Sequence, residues 1–454
     1  MDTIAAIATA PAVSAIGVLR LSGEQTPAIV DALFTEQAGH KTADFTPRKL
    51  YYGTLKDDKG NMLDRCLCTI SHAPNSYTGE FTAEFQCHGS PVLLHAVLTA
   101  CFSLGARAAH PGEFTKRAFL NEKLDLIQAE AVADLIHAET IGEIQNAAGQ
   151  LGGAISTQIE DIYQKLTDIL AHFHAVVDYY DEDIEDFNLT DYQDTIRESM
   201  NHVDRLLSTC ERGQILSKGI LTAIIGRPNV GKSSLLNMLL GYSRAIVTEI
   251  AGTTRDTLEE RVLIGDTLLR LTDTAGLRET DDPVESIGVE KAKEAAQKAK
   301  LLLYVFDGSS AFTEDDKNII TQNADTAHKI AIINKCDLVQ KLDATLLSPH
   351  FAHIITLSAK DGTGLEHLEH IITTLFATDI IPQGEILVNP RQISALEQAK
   401  QALDSVLHDI SVGITPDVVL TELETAVSAF GELTGRVIRE DVVARIFERF
   451  CVGK

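Results

Sequence analysis

The chain has 454 residues and a formal net charge of −26, from 39 lysines and arginines against 65 aspartates and glutamates. Its apolar content of 44% and charged content of 23% are those of a soluble globular protein, and the length predicts about three domains. This acidity should repel nucleic acid over most of the surface, so any contact with RNA must be local or supplied by a partner.

The seven cysteines show no regular spacing, which favours free thiols in a reducing compartment. Cys66 and Cys68 form a lone C-x-C, and strand alternation would place both on one face, so packing is favoured over a metal site. No apolar run approaches the ~18 residues that a membrane span needs. The N-terminus carries Asp2 where a signal peptide has basic residues. We therefore expect a cytoplasmic protein that makes no membrane contact.

Residues 1–118 alternate short apolar runs with turn residues, which predicts a small α+β domain. From 119 to 218 the apolar residues recur every three or four positions, as in KLDLIQAEAVADLIHAET, which predicts the first part of a helical domain. The acidic run DYYDEDIEDF inside it is interpreted as a solvated loop or helix end.

Residues 219–379 contain the buried-strand runs GILTAIIG, LLLYVF and KIAIIN, separated by helix-like stretches. This pattern is typical of a parallel α/β domain. Helical periodicity returns over 380–454. The predicted fold is therefore multidomain, α/β and all-α, with an α/β domain inserted into a helical domain.

The segment GRPNVGKS, residues 226–233, matches the P-loop pattern G-x-x-x-x-G-K-[ST] between an apolar strand and a helix. Its glycines let backbone N–H groups wrap phosphates, Lys232 would reach the β- and γ-phosphates, and the Ser233 hydroxyl would bind Mg²⁺.

Three further motifs follow in order. DTAG (273–276) follows the strand LLRLT and would support Mg²⁺ and the γ-phosphate, and NKCD (334–337) would read guanine through the Asp337 carboxylate. SAK (358–360) would complete base recognition by a backbone N–H. Four ordered motifs in one α/β stretch indicate GTP rather than ATP.

Two features depart from Ras-like GTPases. Leu277 follows DTAG where a water-orienting glutamine is usual, so another group must orient water. Asn229 in the P-loop offers a carboxamide oxygen that suits a monovalent cation beside the β/γ bridge. The stretch IVTEIAGTTRDT, 246–257, predicts a switch loop with Thr254 placed to reach Mg²⁺.

The stretches GRPNVGKSSLLN, IVTEIAGTTRD, DTAGLRET, PNSYTGEFTAEFQCHGSP, HPGEFTKRAFLNEKLDLIQAEAVADLI and the terminal CVGK together resemble the MnmE (TrmE) family of tRNA-modification GTPases. The resemblance covers essentially the whole chain. It implies an N-terminal α+β folate-binding and dimerisation domain, a helical domain and an inserted Ras-like P-loop G domain. It also implies a homodimer that forms a heterotetramer with the FAD-dependent protein MnmG (GidA) and installs a carboxymethylaminomethyl group at C5 of the tRNA wobble uridine.

The resemblance implies a set of cofactors: GTP, Mg²⁺, K⁺ and 5-formyl-tetrahydrofolate or a related tetrahydrofolate. For K⁺ it implies Asn229 and the carbonyls of Thr248, Ile250 and Thr253, and for the catalytic water it implies Glu285, which local reasoning alone interprets as a helix-start carboxylate. The remaining implied nucleotide-binding residues are Val230, Gly231, Ser234, Glu249, Ala251, Gly252, Thr274, Ala275, Gly276, Asp273, Asn334, Lys335, Ser358, Ala359 and Lys360.

For the folate site the matching positions are Arg20, Glu84, Lys123 and Lys454, and Cys451 is implied as a catalytic thiol. The stretch AVSA, 12–15, stands where the family often has GRGG, so the rim of the folate pocket is expected to differ. Judged locally, Cys451 is a small residue packing a chain terminus, because the C-terminal end of a helix disfavours a thiolate.

Two alternatives remain open from sequence. A ribosome-assembly GTPase that binds rRNA fits the G motifs, but such proteins usually append a basic RNA-binding domain and would have no use for CVGK. A purely regulatory GTP switch also fits the G domain but leaves the N-terminal domain unexplained.

Overall fold

The computed structural model describes residues 2–178, 190–244, 259–272, 296–322, 328–376, 384–437, 443, 446–448 and 450–453. The chain divides into two compact units. Unit 1 comprises Met1–His137, Ala147–Leu207 and Asn389–Lys454, and unit 2 comprises Ala138–Asn146 and Ser208–Val388. Unit 1 therefore contains both chain ends, and most of unit 2 is one long insertion.

Unit 1 begins with a seven-stranded sheet of order β3-β4-β5-β6-β2-β1-β7, antiparallel except for the β1–β7 pair. Its strands are β1 (Ile4–Ile7), β2 (Ser14–Ser22), β3 (Phe34–Glu36), β4 (Tyr51–Lys56), β5 (Met62–Ser71), β6 (Thr82–Gly89) and β7 (Arg107–Ala108). Alternate residues of β5 are buried, including Cys66 and Cys68. The predicted common face of these two cysteines is confirmed, and it is the core face.

Three helices cover this sheet: α1 (Thr26–Leu33), α2 (Pro91–Ser103) and α3 (Glu113–Leu120). Apolar residues of α1 and α2 pack with Ala5 and the buried side of β5 and β6 in one core. Phe114 of α3 packs instead with Ile4 and Ala6, which strand alternation places on the opposite face. The sheet thus has helices on both faces near β1.

Four helices follow: α4 (Leu126–His137), α5 (Ile141–Leu151), α6 (Ala154–Asp178) and α7 (Thr190–Leu207). The boundary between the units falls inside α5, after Asn146. A local capping box starts α5, since Thr140 Oγ1 accepts from the N–H of Glu143 (3.1 Å) and Glu143 Oε2 accepts from the N–H of Thr140 (3.1 Å).

Unit 2 is built on a six-stranded sheet of order β13-β12-β11-β8-β10-β9, parallel except for the antiparallel edge strand β9. Its elements are α8 (Cys210–Lys218), β8 (Ile220–Ile225), α9 (Lys232–Arg244), β9 (Glu259–Ile264), β10 (Thr267–Thr272), β11 (Leu301–Asp307), α10 (Glu314–Gln322), β12 (His328–Asn334), β13 (His353–Thr356) and α11 (Leu365–Leu375). The central strands are almost fully buried, as their apolar runs predicted. Loops at the carboxyl ends of such strands form the usual ligand site of this fold.

The chain returns to unit 1 with α12 (Pro390–Val412) and α13 (Pro416–Thr434). The first turn of α12 is fastened to α4, because Arg391 Nε and Nη2 donate to the two oxygens of buried Glu130 (2.7 and 2.8 Å). Gln392 Nε2 donates to the same carboxylate (2.9 Å). Among the described residues, no helix combines the length and the apolar character needed to cross a membrane.

Candidate functional site

The P-loop connects β8 to α9 in a conformation that requires glycine. Gly231 has φ +101°, and a Cβ built there would lie 2.2 Å from Asn334 Nδ2. Gly226 lies against the Val305 carbonyl, which a Cβ would approach to 2.4 Å. Asn229 is also left-handed, with φ +60°. The two motif glycines are therefore explained by close packing as well as by backbone geometry.

Lys232 is the first residue of α9, and its ammonium lies within the loop. Lys232 Nζ donates to the carbonyls of Gly226 and Arg227, both at 2.8 Å. Burial lowers the pKa of Lys232 from its ordinary value. Ser233 is the second residue of α9. The N-terminal turn of this helix therefore carries the Lys232 ammonium, the Ser233 hydroxyl and the first N–H groups of the helix. Such an arrangement suits phosphate and the metal ion that accompanies it.

Asn334, at the carboxyl end of β12, joins the P-loop to the SAK loop. Its Nδ2 donates to the Val230 carbonyl (2.9 Å), and its Oδ1 accepts from the Ala359 N–H (3.0 Å). The side chain is buried, with 2% of its surface exposed. Asn334 thus holds the phosphate loop and the base loop at a set separation.

The residues predicted to bind the base occupy the same edge of the sheet. Asp337 is exposed, and its Oδ1 accepts from the Ser358 hydroxyl at 3.0 Å. Lys335 has a left-handed backbone, with φ +64°. Its Nζ donates hydrogen bonds to the Asn229 carbonyl (3.0 Å) and to Asp307 Oδ2 (2.7 Å). The exposed side chain of Asn229 itself makes no hydrogen bond to any described residue, so its carboxamide is available to a ligand.

Asp307 was missed by the sequence analysis. It ends β11 and holds Lys335, and it also accepts from the Ser309 hydroxyl at 2.6 Å. Burial opposes its ionisation, but the hydrogen bonds from Lys335 and Ser309 outweigh burial and lower the pKa of Asp307. A polar residue directly after a buried parallel strand was the signal that could have found it.

Part of the predicted GTP site lies outside the described residues. This applies to the switch and DTAG positions, to the proposed water-orienting residue and to the chain terminus, namely Thr248, Glu249, Ile250, Ala251, Gly252, Thr253, Thr254, Asp273, Thr274, Ala275, Gly276, Glu285 and Lys454. Ser234 and Lys360 are described and exposed.

A cavity of about 240 Å³ lies in unit 1 and is lined by Arg20, Arg48, Thr69, Ser71, Tyr77, Thr78, Thr82, Ala83 and Glu84. Arg20 and Glu84, both predicted as folate-site residues, form a hydrogen bond there, in which Arg20 Nε donates to Glu84 Oε1 at 2.9 Å. Strand pairing places these two residues directly opposite each other on β2 and β6. The sequence did not predict Arg48, Tyr77 and Thr78 as residues of this site. Tyr77 and Thr78 do lie in the family-like stretch PNSYTGEFTAEFQCHGSP.

The C-terminal tail reaches this cavity. Arg20 Nη1 donates to the Gly453 carbonyl (3.3 Å), and Gly112 N–H donates to the Cys451 carbonyl (3.4 Å). Gly453 has φ +98°, and a Cβ there would lie 2.6 Å from the Ile7 carbonyl. The Cys451 side chain is exposed. Lys123 lies beside Gly79, the neighbour of the lining residue Thr78, with its Cε 3.3 Å from where a Cβ of Gly79 would be.

Buried ion pairs support the wall of the cavity. Arg117 Nη1 donates to Glu80 Oε2 (2.9 Å), and the Ser22 hydroxyl donates to the same oxygen (2.7 Å). Ser22 also bonds the hydroxyl of the lining residue Thr78 (2.7 Å). Arg117 is 4% exposed, so its charge depends on these partners. The Thr78 wall is therefore tied to α3.

Comparison with known proteins covers the whole chain. A family profile described as the GTP-binding protein TrmE N-terminus matches residues 3–123, and one described as the MnmE helical domain matches residues 126–451. The tRNA modification GTPase MnmE of Thermoanaerobacter sp. (strain X514) is 41% identical over 458 residues, covering 100% of this chain and 99% of the relative.

The protein of the same name from Clostridioides difficile (strain 630) is 40% identical over 457 residues, with 100% and 99% covered. A crystal structure of Aquifex aeolicus Era is 27% identical, covers 40% of this chain and 65% of its own, and has a TM-score of 0.27, too low to add to the argument. Identity at this level over the full length, together with both profiles, establishes that this chain belongs to the MnmE (TrmE) family of tRNA-modification GTPases.

Proposed function

We propose that this tRNA-modification GTPase hydrolyses GTP in a K⁺-dependent reaction. We further propose that, with an FAD-dependent partner, it adds a carboxymethylaminomethyl group to C5 of the wobble uridine of certain tRNAs. The observation that supports this best is that one chain combines two sites. One is the P-loop site, where the Ser358 hydroxyl donates to Asp337, and the other is the unit 1 cavity, where Arg20 donates to the Gly453 carbonyl of the C-terminal tail.

In the GTP site, Lys232 and the N–H groups of the P-loop would bind the phosphates, and Asp337 would accept hydrogen bonds from guanine. Ser233 with Thr254 would hold Mg²⁺, and Asn229 with the carbonyls of Thr248, Ile250 and Thr253 would hold K⁺. When bound, these ions neutralise charge that develops on the phosphate oxygens during transfer. Glu285 would orient the attacking water in place of glutamine.

The unit 1 cavity would hold a reduced folate, with Arg20, Glu84, Lys123 and Lys454 as its polar contacts. Reduced folates carry one-carbon units. The presence of both signs of charge at Arg20 and Glu84, 2.9 Å apart, suits a ring that both donates and accepts hydrogen bonds. Cys451, exposed next to this tail, would act in the modification rather than in GTP hydrolysis.

The partners would be tRNA, a second copy of the chain, and the flavoprotein MnmG (GidA) in a heterotetramer. A net charge of −26 disfavours broad contact with tRNA, so the partner would carry most of the basic surface. We assign the chain to the cytoplasm because its proposed substrate, tRNA, is found there.

The test is a nucleoside digest of tRNA from cells that lack this protein, with and without a plasmid copy. We expect the modified wobble uridine to disappear and to return on complementation. Unchanged wobble uridines in the deletion strain would contradict the proposed modification, whereas altered ribosomal particles with normal tRNA would favour ribosome assembly instead.

A further inference from the structure

The β9–β10 hairpin of unit 2 is placed between the two nucleotide-sensing motifs. β9 begins at Glu259, two positions after the end of the switch stretch 246–257, and β10 ends at Thr272, directly before the DTAG motif. The closed end of the hairpin is the two-residue turn Gly265–Asp266, with Gly265 at φ +59°. A shift of either motif would therefore act on this hairpin.

The turn residue Asp266 caps helix α5. Asp266 Oδ1 accepts from the N–H of Ile141 (2.8 Å), and its Oδ2 accepts from the N–H of Gly142 (3.1 Å). The capping box of Thr140 and Glu143 satisfies two of the N–H groups at this helix start, and Asp266 satisfies the other two. A carboxylate at this end also meets the favourable end of the helix dipole. The helix start is completed only by a residue 124 positions away in the chain.

A second bond strengthens the same junction. Arg261 of β9 pairs with Glu139 Oε1 at 2.5 Å, two residues before α5 begins. On the other side, Asn146 exchanges two hydrogen bonds with the backbone of Ile386 (3.1 and 3.2 Å). The first half of α5 is thus held within unit 2 at both ends.

The second half of α5 leads toward the tail. Its last residue, Leu151, packs in the cluster of Ala129, Val132, Phe447 and Phe450. Phe450 directly precedes Cys451, whose carbonyl accepts from Gly112, and Gly453 meets Arg20 at the cavity. One helix, α5, therefore carries the hairpin contact at its first residues and a residue of the Phe450 cluster at its last.

We propose that Asp266 is a positioning residue that transmits the nucleotide state of the hairpin through α5 to the C-terminal tail. The proposal rests on the modification function proposed above and names the contact by which GTP turnover would control it. Release of the hairpin from α5 would leave the N–H groups of Ile141 and Gly142 without their acceptor. It would also weaken the packing of Leu151 in the cluster that contains Phe450.

The experiment uses the full chain with GDP and aluminium fluoride, with GDP, and without nucleotide, followed by hydrogen–deuterium exchange of backbone amides. In the wild type we expect nucleotide-dependent exchange over 141–151 and over 446–453. In Asp266→Ala we expect this dependence to vanish, GTP hydrolysis to stay within about twofold, and modified nucleoside to fall by about two- to thirty-fold, the range for losing a helix cap. Asp266→Asn keeps one acceptor oxygen, so its level of modified nucleoside should lie between those of the wild type and Asp266→Ala.

Thr140→Ala is the matched control, because it removes a cap from the same helix but leaves the hairpin contact. It should raise exchange in α5 while keeping the nucleotide dependence at 446–453. Exchange in the wild type that ignores nucleotide, or normal modification by Asp266→Ala, would overturn the proposal. Failure of the modification function itself would show differently, as a wild-type chain that restores no modified nucleoside.

Discussion

Asp337 and Ser358, which we propose read guanine, meet although they belong to different loops, and the Ser358 hydroxyl donates to the Asp337 carboxylate at 3.0 Å. This bond orients the carboxylate without neutralising it, so both its oxygens retain acceptor capacity. At residue scale, we therefore propose that nucleotide choice depends on this one charge, which is exposed and held in place by Ser358.

Asp337→Asn should weaken GTP binding and strengthen XTP binding. The amide nitrogen replaces an acceptor oxygen by a donor, which suits the C2 carbonyl of xanthine, and loss of the charge-assisted bonds costs about 1.5–3 kcal/mol. Competition binding of the two nucleotides measures this. Asp343→Asn, a change at an exposed helix-capping aspartate in the same unit, is the control. GTP affinity equal to that of the wild type would remove Asp337 from the base-reading role.

Cys451→Ser should abolish or severely reduce wobble modification while GTP hydrolysis and the melting temperature stay near normal. The thiol is exposed, and the backbone carbonyl of Cys451 accepts from the Gly112 N–H before α3, so the substitution changes the thiol and leaves this bond in place. Nucleoside analysis of tRNA measures the outcome. Deletion of 452–454 should in addition weaken binding of 5-formyl-tetrahydrofolate, since it removes the carbonyl that Arg20 binds. Modified nucleoside at its normal level in Cys451→Ser would withdraw the thiol from the active site.

At the scale of elements, α3 is fastened to the sheet by charge as well as by Phe114. Glu113, at its first position, accepts from Arg107 Nη1 (2.8 Å) and from Arg117 Nη2 (3.1 Å). Burial raises the pKa of Glu113, but bonds from Arg107, the His110 N–H and Arg117 outweigh burial and hold it at about 2. Because Gly112 and the wall residue Thr78 both connect to this helix, its stability bears on the cavity.

This lowered pKa predicts a pH-dependent contribution to stability. A carboxyl with a folded pKa below its unfolded value stabilises the fold above the unfolded value and loses that contribution as pH falls toward the folded value. Glu113→Gln should therefore lower stability by about 1.5–3 kcal/mol at neutral pH. The difference in melting temperature from the wild type should be largest above about pH 5 and shrink as pH falls toward 2. A difference that stays constant across this range would show that the charge of Glu113 contributes nothing.

At the scale of the whole molecule, the two units carry different chemistry on one chain. Unit 2 holds the described part of the proposed GTP site, and unit 1 holds the cavity and the tail. The chain crosses between the units at four places: after His137, within α5 after Asn146, after Leu207 and after Val388. One of these crossings lies inside a helix, α5, and the Asp266 contact is made at the start of that helix.

GTP hydrolysis should depend on K⁺, and Na⁺ should not substitute because it is too small to span the same ligand cage. Asn229→Ala should remove most of the K⁺ stimulation and leave nucleotide affinity nearly unchanged, since the exposed carboxamide bonds no described residue. Steady-state turnover in KCl and NaCl at matched ionic strength measures both effects. Glu285→Ala should lower turnover with little change in GTP affinity. Equal turnover in the two salts would contradict the K⁺ site.

Much of this protein could be predicted from the sequence because the signals are local or periodic. The strands of unit 2 were predicted as continuous apolar runs because a strand with helices on both faces contacts water on neither. The P-loop, NKCD and SAK were recognised because phosphate and guanine binding demand particular residues at particular spacings. Parallel strands end at one edge, so the meeting of these loops could also be expected.

Only the tertiary structure decided which distant residues meet. Nothing near Gly453 in sequence indicates that its carbonyl binds Arg20, 433 positions away. The same holds for Asp266, whose turn reads as an ordinary hairpin but which caps a helix that begins at Ile141. Sequence periodicity reports which face of an element is buried and not which element buries it, because that choice is made by the packing of the whole chain.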